Sequence, residues 1–214
     1  MTKENNIYGV FIEPDGELYD FVSRMKKSVE LWMPGMKYCL HPPHCTLIAG
    51  EYQFNKQIWA SEFEESLHNL NSFNVRTRRW RVFENDPLAG GANTIALELD
   101  DNIKLRQLQR LSADICARHY FAAAAPQNIL PISQAMLDSL IKYGWPFVGD
   151  HWLPHITIAA INADINSTLI RDMITKTVDF TFIIRKVEIW NMIGDQHNFV
   201  FSTQLGQTDD SRMS

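Results

Sequence analysis

Apolar positions along the chain follow two rhythms. Between residues 17 and 32, Leu18, Phe21, Val22, Met25, Val29 and Trp32 recur at spacings of three and four, which predicts an amphipathic helix. The same period predicts a helix over 56–70, carried by Ile58, Trp59, Phe63, Leu67 and Leu70. Another follows the acidic start Asp100-Asp101-Asn102 and runs through Leu105, Leu108, Leu111, Ile115 and His119, with two more over 133–143 and 167–176. Between them lie short β-branched and aromatic runs, at 7–12, 37–40, 44–49, 73–83, 94–99, 180–190 and 198–205, each of which predicts a strand. Pro14-Asp15-Gly16 and Pro34-Gly35 punctuate the first helix, and the loop holding Gly90-Gly91 is too long for a tight hairpin. The alanine run after Phe121, closed by Pro126, is a candidate break, and residues 207–214 read as a mobile polar tail.

Helices and strands alternate, yet the strand pairs near 73–99 and 180–205 argue against a purely parallel sheet. The predicted class is therefore α+β, with two related antiparallel lobes enclosing a cleft in a single domain over residues 1–206.

One phrase occurs once in each half: Pro43-His44-Cys45-Thr46-Leu47-Ile48 and Pro154-His155-Ile156-Thr157-Ile158-Ala159. With 7 histidines in 214 residues, a double coincidence is improbable. On a strand, residues two apart share a face. His44 then stands beside Thr46, and His155 beside Thr157, while Cys45, Leu47, Ile156 and Ile158 point into a core. Two such faces opposed across a cleft would supply an acid/base pair flanked by two hydroxyls. That set suits a phosphodiester: one imidazole takes a proton from water, the other protonates the leaving oxygen, and the hydroxyls bond the non-bridging oxygens. An unperturbed imidazole titrates near pH ~6.5, so a neutral and a protonated histidine can coexist close to neutrality.

Bulk properties narrow the partner. A net charge of −5 speaks against a grip on long duplex nucleic acid and for a nucleotide or short RNA. Three cysteines without a CxxC pair fit a reducing compartment. The polar first residues lack an apolar signal core, and no apolar run reaches membrane-spanning length. A cytoplasmic protein with no membrane role is the expectation; oligomeric state is not encoded legibly.

The paired His-x-Thr motifs, half a chain apart and each on a predicted strand, resemble those of the two-histidine (2H) phosphoesterase superfamily. That superfamily includes 2′,3′-cyclic phosphodiesterases, bacterial 2′-5′ RNA ligase-like proteins and enzymes that degrade 2′-5′ oligoadenylates. The resemblance implies a bilobal pseudo-twofold fold, two antiparallel sheets flanked by helices, and catalysis without metal or cofactor. It places His44 and His155 as the catalytic pair and Thr46 and Thr157 as phosphate binders. Where the RNA ligase-like proteins commonly continue with a segment like Arg-Phe-Leu-Gly, this chain reads Leu47-Ile48-Ala49-Gly50-Glu51, which turns the reading from ligation toward hydrolysis.

Other readings stand beside this one. A catalytically silent nucleotide- or RNA-end-binding module would keep the cleft without turnover, and an RNA 2′-5′ ligase would use the same histidines. His41, His44, His151 and His155 have near-ligand spacing, but the intervening prolines exclude the helical zinc-binding geometry. Trp152, just before the second motif, is placed to stack on a base, whereas Trp190 is assigned to the core. The run Arg76-Thr77-Arg78-Arg79-Trp80-Arg81 could attract phosphates and stack a base on Trp80, but it is read as a solvated strand face, since consecutive arginines alternate sides and at most some could reach one ligand.

Overall fold

A computed structural model describes residues 7–120, 132–194 and 196–206; the expected break after Phe121 and the tail at 207–214 fall outside them. Among the described residues, eight strands and five α-helices follow one another: β1 (Ile7–Ile12), α1 (Gly16–Trp32), β2 (Cys45–Glu51), α2 (Lys56–Leu67), β3 (Phe73–Asp86), β4 (Ala92–Leu99), α3 (Ile103–Ala117), α4 (Gln134–Tyr143), β5 (His155–Ile161), α5 (Thr168–Ile174), β6 (Thr181–Ile184), β7 (Lys186–Ile193) and β8 (Gln196–Gln204). Helix starts follow local chemistry. The side chain of Asn55 accepts from the amides of Gln57 and Ile58, Asn102 from that of Leu105, and Ser133 from that of Met136.

The strands run in the order β6-β3-β4-β5-β2-β1-β7-β8, and every pairing is antiparallel. The class is α+β, as the paired strands near 73–99 and 180–205 imply. Two separate sheets are not what the strand order gives: four strands on each side meet at a seam between β2 and β5, held by the single pair Cys45↔Ile156. Each side also borrows from the distant half of the chain, because β7 pairs with β1 while β3 pairs with both β4 and β6.

One buried cluster joins the helices to the strands. Val22 and Val29 of α1, Trp59 and Phe63 of α2, and Leu105 and Leu108 of α3 pack with Leu47 of β2 and Ile156 and Ile158 of β5. Helix α1 lies against β5 and β6, while α2 contacts β8 and α3 contacts β2. Among the described residues no helix is long and apolar enough to cross a membrane.

Several expected boundaries shift for visible reasons. Residues 37–40 form no strand: Tyr38 adopts a left-handed φ of 73°, and only an isolated bridge joins Lys37 to Ala160. Helix α2 ends at Leu67 rather than Leu70. The run at 180–190 divides into β6 and β7 around Arg185, allowing the first piece to pair with β3 and the second with β1.

Candidate active site

Burial along the motif strands alternates as the sequence implies: Cys45, Leu47, Ile156 and Ile158 are 0–1% exposed, whereas His44, Thr46, His155 and Thr157 are only partly buried. The seam sets their relation. Cys45 faces Ile156 in an antiparallel pair, so one step along this register in either direction puts His44 against Thr157 and Thr46 against His155. All four line one cavity of about 660 Å³.

Both histidines are oriented alike. Nδ1 of His44 lies 2.8 Å from the carbonyl of Pro42, and Nδ1 of His155 lies 2.7 Å from that of Leu153. A carbonyl only accepts, so in each ring Nδ1 carries the proton and donates, leaving Nε2 as the atom that exchanges protons. Burial drives the His44 imidazole well below its ordinary value, with the neighbouring charges of His197 and Lys26 adding to that fall and the Pro42 carbonyl opposing it. Burial also lowers His155, against the opposing pull of the Leu153 carbonyl and of Asp86 and Glu98. The protein alone thus favours two neutral imidazoles, and an arriving anion is what favours a proton on one of them. The thiol of Cys45 faces the core and is pushed up to about 12 by burial, which removes it as a nucleophile.

Two side chains tie the motif segments together across the seam. Gln109 of α3, 1% exposed, donates from Nε2 to the Leu47 carbonyl and accepts at Oε1 from the Gly149 amide, both at 3.2 Å. Trp152 donates from Nε1 to the Thr46 carbonyl at 2.8 Å. At 4% exposure its indole forms part of the cavity wall rather than a platform projecting into solvent.

Sequence reasoning passed over several neighbours. His197 of β8 lies with its ring centroid 5.1 Å from that of His44, and His41 stands 4.2 Å from His197. Phe83 of β3 sits 5.1 Å from His155. Phe11 meets His44 edge-on at 4.8 Å and stacks on Trp190 at the same spacing. Lys26 is the least expected, since it occupies the buried stripe of α1 at 4% exposure. Its ammonium donates to the carbonyls of Tyr38 (2.7 Å) and Ile158 (3.2 Å) and lines the same cavity. Among the described residues no carboxylate pairs with it, and burial lowers it to about 8. The four histidines weighed as metal ligands all line this cavity, yet among the described residues no three His, Cys, Asp or Glu side chains gather as ligands would.

Gly9 explains how Phe11 reaches His44. A Cβ at residue 9 would run into the Phe11 ring, which is confined between Trp190 and His44. The expected result for Gly9→Ala is a loss of about 1–3 kcal/mol, read by denaturant unfolding, because the ring must leave its packing against Trp190 and His44 to make room for the methyl group.

A family model described as "2'-5' RNA ligase superfamily" matches residues 14–196. Among solved structures, TT0787 of Thermus thermophilus is similar at a TM-score of 0.60 and 12% identity, covering 94% of this chain and 98% of that one. Apo LigT of E. coli gives 0.53 at 10% identity, covering 94% and 98%. The same protein in complex with 3'-AMP gives 0.50 at 10% identity, covering 95% and 100%. These likenesses concern the fold. A search of curated proteins returns no match.

Proposed function

The chain belongs to the 2′-5′ RNA ligase superfamily, and on that footing we propose that it is a metal-independent phosphodiesterase hydrolysing a 2′,3′-cyclic or 2′-5′-linked phosphodiester of a nucleotide or short RNA. The observation that carries this reading is the paired orientation of His44 and His155: each donates Nδ1–H to a carbonyl two residues back, and each lines the same cavity beside a threonine.

In the proposed reaction the phosphodiester enters as an anion and favours a proton on one imidazole. The neutral histidine removes a proton from water as its oxygen attacks phosphorus, and the protonated one gives its proton to the departing oxygen. Thr46 and Thr157 donate hydroxyl hydrogen bonds to the non-bridging oxygens. Lys26 contributes a fixed positive charge that lacks a carboxylate partner among the described residues, so the substrate anion would serve as its counter-ion. Trp152 supplies a wall for the bound group while holding Thr46 in place. The nucleotide part of the proposal draws support from a fold neighbour, LigT, whose structure with 3'-AMP is known. A soluble cytoplasmic setting fits the substrate class.

The test is a panel of cyclic mononucleotides, 2′-5′ oligomers and short RNAs, with product phosphates identified by NMR in excess EDTA. Turnover unchanged by the chelator is the expected result. Activity abolished by EDTA and restored by a divalent cation would overturn the metal-independent mechanism.

A further inference from the structure

Arg78, Arg79 and Arg81 of β3 converge on one carboxylate, Glu98 of β4, at 3.0, 3.1 and 2.7 Å. Glu98 is 1% exposed, while the three arginine side chains are 53%, 54% and 35% exposed. Burial alone would push the Glu98 carboxyl up, but the hydrogen bonds from Arg79 and Arg81 outweigh it and hold the group ionised. One guanidinium suffices to neutralise one carboxylate. Three cations on one anion leave a surplus of two positive charges at the surface of a chain whose overall balance is −5.

The placement of that surplus is informative. Glu98 sits directly opposite His155 in the β4–β5 ladder, and Arg79 directly opposite Glu98 in the β3–β4 ladder. Opposite residues of an antiparallel pair project from the same face, so a row His155–Glu98–Arg79 crosses three strands. The neighbouring pair Arg81↔Ala96 follows the same face. Arg78 and Arg79 are consecutive and would ordinarily point to opposite sides. The register shift between Thr77 and Arg79 inserts an extra residue, which lets both reach Glu98. Each arginine uses only one or two of its five N–H donors on that carboxylate, as Arg81 does with Nε and Nη2. Asp101, which feels the charge of Arg78, is already paired with Arg106.

We propose that this arginine cluster is a second phosphate subsite, binding a backbone phosphate of an oligonucleotide whose scissile bond lies between His44 and His155. It rests on the phosphodiesterase reading and narrows the substrate class to short RNA chains rather than mononucleotides. Glu98 serves as the peg: with the long side chains already held, little rotamer freedom remains to be lost when the phosphate arrives.

The experiment compares a 2′,3′-cyclic mononucleotide with a short RNA ending in the same cyclic phosphate. Arg78→Ala and Arg79→Ala are made singly, and thermal melts confirm that each variant folds. The expected result is a fall of about tenfold in the ratio of kcat/KM, RNA over mononucleotide. Binding of the RNA, followed by fluorescence anisotropy, should lose about 0.7 from its slope of log affinity against log salt for each phosphate contact removed. An unchanged ratio and slope in both variants would overturn the subsite while leaving the catalytic reading intact. A wild type that turns over neither probe, yet binds the RNA with an arginine-dependent slope, overturns the catalytic reading and supports the subsite.

Discussion

Alanine at His44 or at His155 is expected to lower turnover by about 10²–10⁴-fold in each case, because each removes one of two proton transfers. The expectation follows from the rings' fixed tautomer. With Nδ1–H committed to the carbonyls of Pro42 and Leu153, no rotation of either ring offers a substitute proton carrier. The double variant should be little worse than the poorer single one, since a displacement without its base gains little from its acid. Initial rates on the best substrate of the panel decide the matter, with thermal melts to confirm folding. Full activity in either single variant would remove that histidine from the mechanism.

Lys26→Met is expected to have the second largest effect, with two separable readouts. Removing the cavity's fixed charge should reduce kcat/KM on the order of 10²-fold, as loss of one preorganised charge-stabilising donor does elsewhere. Lys26 also depresses His44, so without it the limb of the pH–rate profile that reports His44 should move to higher pH. The stability readout has a definite sign. The folded-state value of Lys26 is lowered from 10.5 to about 8, so the unfolded chain binds the proton more tightly. The cost of burying the ammonium is therefore fully present below pH 8 and is relieved as pH rises to 10.5, a gain on the order of 3 kcal/mol. Across that window the wild type should gain stability relative to Lys26→Met in denaturant unfolding; the buried thiols of Cys45 and Cys116, whose raised values act in the opposite direction above pH 9, are common to both proteins. Parallel curves would mean that Lys26 is not a buried charge.

Much of the site was legible from its own strands. Alternation along His44–Ile48 and His155–Ala159 gave the facing of all four motif side chains, because period two is a local property of an extended backbone. What escaped came from elsewhere in the chain. His197 and Phe83 reach the motifs from β8 and β3, and no local pattern marks a residue brought close by strand order. Lys26 lies on the apolar stripe of α1, where the helical period counts Met25 and Val29 and passes over the lysine between them. Gln109 likewise sits among leucines of α3, and its role depends on two acceptor and donor groups in separate motif segments. The arginine run was read as a solvated face because strict alternation forbids Arg78 and Arg79 a common partner. The bulge that reunites them leaves no trace in composition. Residues 37–40 looked like a strand by residue type, and the left-handed turn at Tyr38 prevented it.

The exchange of strands between the two sides has a consequence for how the chain acquires its structure. β1 is fully flanked only when β7 arrives, from more than 170 residues later, since Ile7 pairs with Met192. β3 in turn waits for β6, because Phe73 pairs with Ile184. As the ribosome delivers the N-terminal half first, that half emerges with a vacant edge beside β1 and cannot close on its own. Contacts of such long sequence separation also make for slow folding in general. A chain stopped after β5 would carry both complete motifs, yet would leave β1 unpaired on one side and β3 without β6. Cutting the protein into two catalytic half-molecules is therefore not expected to give two folded pieces, although mixing them could restore one.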